Sequence, residues 1–237
     1  MKMGQWGGMF RYFVVLLFLL IGSSAVLADA RQDCANLSGD AAIRACNQAI
    51  RQNARDAVAY YNRGIEYQHK GDLDRAMADY TKAIEIDPKY AAAYYNRGVA
   101  YRAKGDFDRA IADYSKAIEI DPKYAKAYYN RCWLRASANR DLPLALSDCD
   151  SAVRLAPNDA DSIDSRGFVY LRLNRLDEAI ADYDAALKID AKKADSLYGR
   201  GLAKKKKGDQ AGGDADMAAA KAIKADIMEE FAKYGVK

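Results

Sequence analysis

Histidine is nearly absent from this 237-residue sequence, where His69 stands alone. That excludes His-based catalytic triads and multi-His metal sites. Cysteine is scarce, and the four present pair most simply at separations of 12 and 17 residues, which are not the spacings of a zinc site. No glycine-rich stretch has the form of a phosphate-cradling loop. Charge of one sign is lacking too: the net charge is +4, and without Lys2 and Arg11 it becomes 35 basic against 33 acidic residues. So small an excess argues against a dedicated nucleic-acid binder, which concentrates basic residues on one face. The numerous Asp and Glu side chains recur in periodic stretches as a solvated face. An enzyme is therefore not expected, and neither is a metal or cofactor.

Long hydrophobic runs are missing apart from Tyr12–Ile21, ten residues that follow the basic Lys2 and Arg11. With small residues at Val26, Ala28 and Ala30, residues 1–30 read as a signal peptide cut near Ala28 or Ala30. An uncleaved anchor is the alternative, although ten apolar residues fall short of the roughly 20 a span needs. The expectation is a periplasmic or secreted protein, touching a membrane only through an uncleaved signal segment. An oxidising compartment permits disulfides, and all four cysteines lie beyond this segment.

What the chain does have is a repeat. Ala57–Tyr90 and Ala91–Tyr124 are nearly the same 34-residue sentence, weaker copies follow over 125–159 and 160–193, and a fifth decays over 194–221. Self-similarity at this period means stacked helix pairs, each burying its apolar face on its neighbours. Within a unit, helix A ends at Gly71-Asp72 or Gly105-Asp106. Helix B carries Ala76, Tyr80, Ala83 and Ile84 at helical periodicity and stops at Asp87-Pro88. Residues 31–56 align as a lone helix B from about Asp40 to Gln52, with Ser38 or Asp40 as N-cap. At the other end, Ile223, Ile227, Phe231 and Tyr234 are spaced as the stripe of a capping helix over 222–237.

These residues resemble the tetratricopeptide repeat family. Its pattern of large residue, Gly, aromatic, Ala, aromatic, Ala and Pro is met by Tyr94, Gly98, Tyr101, Ala110, Tyr114, Ala117 and Pro122. The unit before matches as fully, and the resemblance extends over about 57–221. It implies an all-α right-handed superhelix of antiparallel helix pairs, with A helices lining a concave, usually peptide-binding, groove. In such a groove the fifth, sixth and ninth residues of helix A would present Tyr61, Tyr95 and Tyr129, Asn96 and Asn130, and Trp133 and Phe168. These are the expected partner-binding residues, although consensus-like Tyr and Asn also propagate with a repeat and pack on each other. The alternative is a structural cell-envelope component held through its basic C-terminal units, Lys204–Lys207 with Lys192 and Lys193.

Two departures from the pattern carry further expectations. Where the first, second and fourth units pair a helix-A Gly with a helix-B aromatic, the third has Cys132 and Cys149, so a bond between them replaces a knob in a hole. Two inert buried thiols would be the alternative. Cys34 and Cys46 then pair by elimination and staple the lone first helix. In a slot where the family usually has Leu, the units carry Arg63, Arg97, Arg131, Arg166 and Arg200. Each is followed 16 or 17 residues later by Asp79, Asp113, Asp148, Asp182 or Asp216. Pairing inside each unit leaves no orphan, so five ion pairs between helix A and helix B are expected.

Overall fold

A computed structural model describes residues 30–236, and all of its regular structure is helix. Five times a 13-residue A helix is followed by a 14-residue B helix. These are α3 (Ala57–His69) and α4 (Leu73–Ile86), α5 (Ala91–Ala103) and α6 (Phe107–Ile120), α7 (Ala125–Ser137) and α8 (Leu142–Leu155). Then come α9 (Ala160–Arg172) and α10 (Leu176–Ile189), and α11 (Ala194–Lys206) and α12 (Gln210–Ile223). Ahead of them lie α1 (30–36) and α2 (Gly39–Gln52), and after them α13 (Ile227–Lys233). The chain falls into two compact units, one up to Gly105 and one from Asp106.

Aspartates cap several of these helices. Asp56 accepts from the amides of Val58 and Ala59, Asp72 from Arg75, Asp106 from Arg109 and Asp159 from Ser162, each at 3.1 Å. Each such cap stabilises its helix by about 1 kcal/mol. After α3, α5 and α11 the reversal needs a left-handed residue, supplied by Gly71, Gly105 and Gly208. After α7 and α9, Asn139 (φ 54°) and Asn174 (φ 57°) take the same conformation, which Asn tolerates better than most residues. The additional residue of the third unit is absorbed there, since Asp141 is also left-handed at φ 46°.

Small residues let the two helices of a pair approach. A Cβ added at Gly64 would stand 2.7 Å from Cε1 of the fully buried Tyr80, and one at Gly167 3.1 Å from Cε1 of Tyr183. In the fifth pair Gly201 meets Met217, with 2.7 Å between its added Cβ and Cγ. In the third pair the two slots hold Cys132 and Cys149, both fully buried, with Cα atoms 5.4 Å apart and sulphurs at bonding distance. The same holds for Cys34 and Cys46, whose Cα atoms are 4.6 Å apart.

Both chain ends depart from the expected layout. The expected signal segment lies outside the described residues except for Ala30, which is buried beside Cys34, Cys46, Ala49 and Ala59. Displaced by one repeat, α1 falls on the last two turns of an A helix. The start is therefore the end of a helix pair rather than a lone helix B, and the boundary at residue 30 falls inside the packed core. At the other end the capping helix is not continuous. The chain leaves the helix at Lys224 in an extended conformation and restarts at Ile227, so Ile223 is left 49% exposed while Ile227 and Phe231 are buried.

Candidate functional site

In the first, third, fourth and fifth pairs the A helix presents one arginine to helix B. Arg63 grips Asp79 with two parallel hydrogen bonds, Nε to Oδ2 at 2.7 Å and Nη2 to Oδ1 at 2.6 Å. Arg131 holds Asp148 in the same way at 2.9 and 2.6 Å, Arg166 holds Asp182 at 2.7 and 2.8 Å, and Arg200 holds Asp216 at 2.8 and 2.6 Å. The fork geometry of guanidinium and carboxylate makes such pairs rigid. Their aspartates are at most 7% exposed, so these arginines are structural clamps and not a stripe open to an anionic ligand.

A second function of the same arginines was not foreseen. The remaining nitrogen, Nη1, reaches back to the preceding B helix, to Asn47 from Arg63 at 2.6 Å and to Thr81 from Arg97 at 3.0 Å. It reaches Ser115 from Arg131 at 2.8 Å, Asp150 from Arg166 at 3.2 Å and Asp184 from Arg200 at 2.7 Å. In Arg63, Arg131, Arg166 and Arg200 one guanidinium thus ties three helices.

In the unit up to Gly105, the expected binding residues are partly exposed. Tyr61 packs on Tyr90 with ring centres 4.8 Å apart and planes tilted by 40°, and its hydroxyl oxygen accepts from Asn96 Nδ2 at 2.9 Å. Partial burial raises the Tyr61 pKa, so the phenol keeps its proton and remains a donor. Tyr95 and Asn96 are half-buried on the same helix.

The unit from Asp106 is different. Trp133 and Phe168 stand 5.3 Å apart, ring centre to ring centre, and the end of the chain lies over them. Tyr234 meets Trp133 edge-on at 5.3 Å, Phe231 meets Phe168 at 5.8 Å and Tyr198 at 4.7 Å. Phe168 is consequently only 2% exposed, which corrects its expected role as an open binding anchor. Asn130 is corrected as well: it is buried, and its amide donates to Lys126 O of its own helix at 3.0 Å. Tyr129 and Trp133 stay partly exposed.

The basic cluster at the end of α11 is largely neutralised. Lys204 pairs with Asp216 at 2.8 Å, Lys205 with Asp214 at 2.7 Å, and Lys207 with Asp177. Lys193 pairs with Asp161 at 2.5 Å. This removes most of the charge that would draw the cluster to an anionic surface.

Asp164 takes the fifth position of α9, where the other A helices carry Tyr. It is buried against α11, and Ser196 Oγ donates to it. Burial pushes its carboxyl up to about 7, against the opposing pull of Lys193 and Ser196. Between pH ~4 and ~7 the folded chain therefore holds a proton that the unfolded chain has released, and stability falls as pH rises through this window. Urea unfolding should show at least about 1 kcal/mol less stability at pH 8 than at pH 5 from this group, and Asp164→Asn should remove that difference. An unchanged pH profile in the variant would contradict the assignment.

A family model described as tetratricopeptide repeat matches residues 57–90 and 91–124, and one described as TPR repeat matches 167–208. The chain is a tetratricopeptide repeat protein. Among solved tetratricopeptide structures, YrrB, described as a TPR protein with an unusual peptide-binding site, superposes with a TM-score of 0.69 at 28% identity. That match covers 78% of this chain and 95% of YrrB. MamA matches at 26% identity and TM-score 0.61, over 72% of this chain and 97% of its own. A tetratricopeptide repeat protein from Parabacteroides merdae, at 17% identity and TM-score 0.66, covers 90% of this chain and 89% of its own, a likeness of fold alone. No curated protein matches the sequence. The fold is that of a protein–protein interaction scaffold, a class that is generally non-enzymatic.

Proposed function

We propose that the chain is an exported scaffold that binds a protein or peptide partner across its A-helix face, with Tyr61, Tyr95 and Asn96 as the principal contacts of the first unit. The observation that carries this is the Tyr61–Asn96 hydrogen bond between α3 and α5. It fixes both side chains in advance, leaving the Asn96 carbonyl oxygen and the Tyr61 hydroxyl hydrogen to meet the N–H and C=O groups of an extended peptide. Ordering these groups before binding lowers the entropy cost of the complex. Within the second unit, taken by itself, Trp133 and Tyr129 are the expected contacts that stay partly exposed. Export is supported by the signal-like pattern of residues 1–30 and by four cysteines whose sulphurs stand at bonding distance in two pairs.

The test is affinity capture from envelope extract with the exported protein, followed by titration of the captured partner. Asn96→Ala and Tyr95→Ala should each weaken binding about 10-fold or more, the loss of an interface anchor. Both variants retaining a partner at unchanged affinity would sink the reading.

A further inference from the structure

The end of the chain is seated on the A-helix face of the second unit in an unusual way. Its helix α13 has only seven residues and hangs from a break at 224–226. Ile227, Phe231 and Val236 are buried, and Phe231 and Tyr234 interleave with Trp133, Phe168 and Tyr198. The fit is incomplete. A cavity of about 650 Å³, lined mainly by Tyr198, Leu202, Met217, Met228 and Val236, stays open beside it, and Met228 is 49% exposed.

The polar side of the seat is also incomplete. Arg172, at the end of α9, is half-buried over the Phe168 ring, 5.7 Å from its centre. Its Nη1 donates to two backbone carbonyls, Tyr234 O at 2.7 Å and Ala136 O at 3.1 Å. Arg131, Arg135, Arg166 and Arg200, which are likewise partly buried, each grip a carboxylate, whereas burial alone acts on Arg172 and lowers its pKa. A half-buried guanidinium satisfied only by carbonyl dipoles gains strongly from a true anion, because charge-assisted bonds are roughly twice as strong as neutral ones.

We infer that Trp133, Phe168, Tyr198 and Arg172 form a dock for an amphipathic helical segment with two aromatic side chains and a carboxylate beside the second, and that α13 is a resident occupant which such a partner displaces. This rests on the A-helix face being the binding surface. Residues 227–236 supply the aromatics without the carboxylate, so they hold the dock closed but yield to a segment that has both. The closed form lowers the apparent affinity for the partner by the fraction of molecules that are open.

The probe is a labelled peptide of residues 225–234, which ends at Tyr234. As the free acid it places a carboxylate where the Tyr234 carbonyl meets Arg172; as the amide it does not. The host is the full chain, unaltered or opened by Phe231→Ala with Tyr234→Ala. The opened chain should bind the free acid at least ~10-fold tighter than the unaltered chain does, and ~5-fold tighter than it binds the amide. Arg172→Met in the opened chain should erase the preference for the acid. An opened chain that keeps its helical circular dichroism and cooperative melt yet binds no tighter overturns the inference, and so does equal binding of acid and amide. Should the opened chain fail to fold, hydrogen exchange on the unaltered chain decides: 227–236 must exchange before α9, and exchange only together with α9 overturns it. If Asn96→Ala loses the captured partner while opening gains nothing, the binding-scaffold reading stands and this inference alone falls.

Discussion

Asp148→Ala is expected to lower the unfolding free energy by about 3–5 kcal/mol, the cost of removing one partner from a buried ion pair. Asp148 is 4% exposed and serves two cations, Arg131 through two bonds and Arg135 through a third. Without it, two guanidiniums that are mostly shielded from water lose their carboxylate together, and only Arg131 keeps a second acceptor, Ser115. Urea unfolding followed by circular dichroism measures the loss, with Asp150→Ala as the comparison. Asp150 has a 52% exposed side chain and a single 3.2 Å bond to Arg166, so its removal should cost about 1 kcal/mol or less. Equal effects for the two substitutions would contradict the clamp.

The clamps show where the repeat frame was readable. Arg63 with Asp79 and Gly64 with Tyr80 recur at fixed slots, so the sequence alone carried both the helix pairing and the residues that meet across it. The backward reach of each arginine left no such trace. Its acceptors are Asn47, Thr81, Ser115, Asp150 and Asp184, which share a position and an acceptor oxygen but no residue type. Repetition in chemistry without repetition in letters is invisible to a period search. The half-pair at the start was missed for a related reason: its Gly slot holds Ala30 and its aromatic slot Cys46, so neither marker survives.

The closing segment was illegible for a different reason. Ile223, Ile227, Phe231 and Tyr234 have the spacing of one continuous helix, and no Gly or Pro marks the break at Lys224–Asp226. The break is imposed from a distance. Phe231 and Tyr234 gain more by interleaving with Trp133, Phe168 and Tyr198 than one more turn of α12 would contribute, and Lys224 turns to pair with Glu230 of α13. The family resemblance placed Trp133 and Phe168 on the binding face; only the path of Phe231 and Tyr234, far along the chain, shows that this part of the face is already filled.

Reduction of the Cys132–Cys149 pair should cost nearly as much as loss of a clamp. The two cysteines stand in the slots where Gly64 and Tyr80 meet in the first pair, so the bond replaces a filled contact as well as closing a loop. At a sequence separation of 17, closure contributes roughly 3 kcal/mol through the entropy of the unfolded chain. Two separate thiols in the same space, which a tyrosine ring fills in the first pair, also leave the packing between α7 and α8 looser. The third unit has reason to need the bond, since its turn carries an additional residue and two left-handed positions, Asn139 and Asp141. Protein folded under oxidising conditions should therefore resist alkylation until reduced, and refolding in reductant should lower the urea midpoint. The Cys132→Ser, Cys149→Ser variant should reproduce that loss without reductant, while Cys34→Ser with Cys46→Ser should mainly loosen α1 and leave the second unit intact. Four alkylated thiols before reduction would show that the pairs do not form, and the looseness of the third turn would then have to be held by the Arg131–Asp148–Arg135 cluster alone.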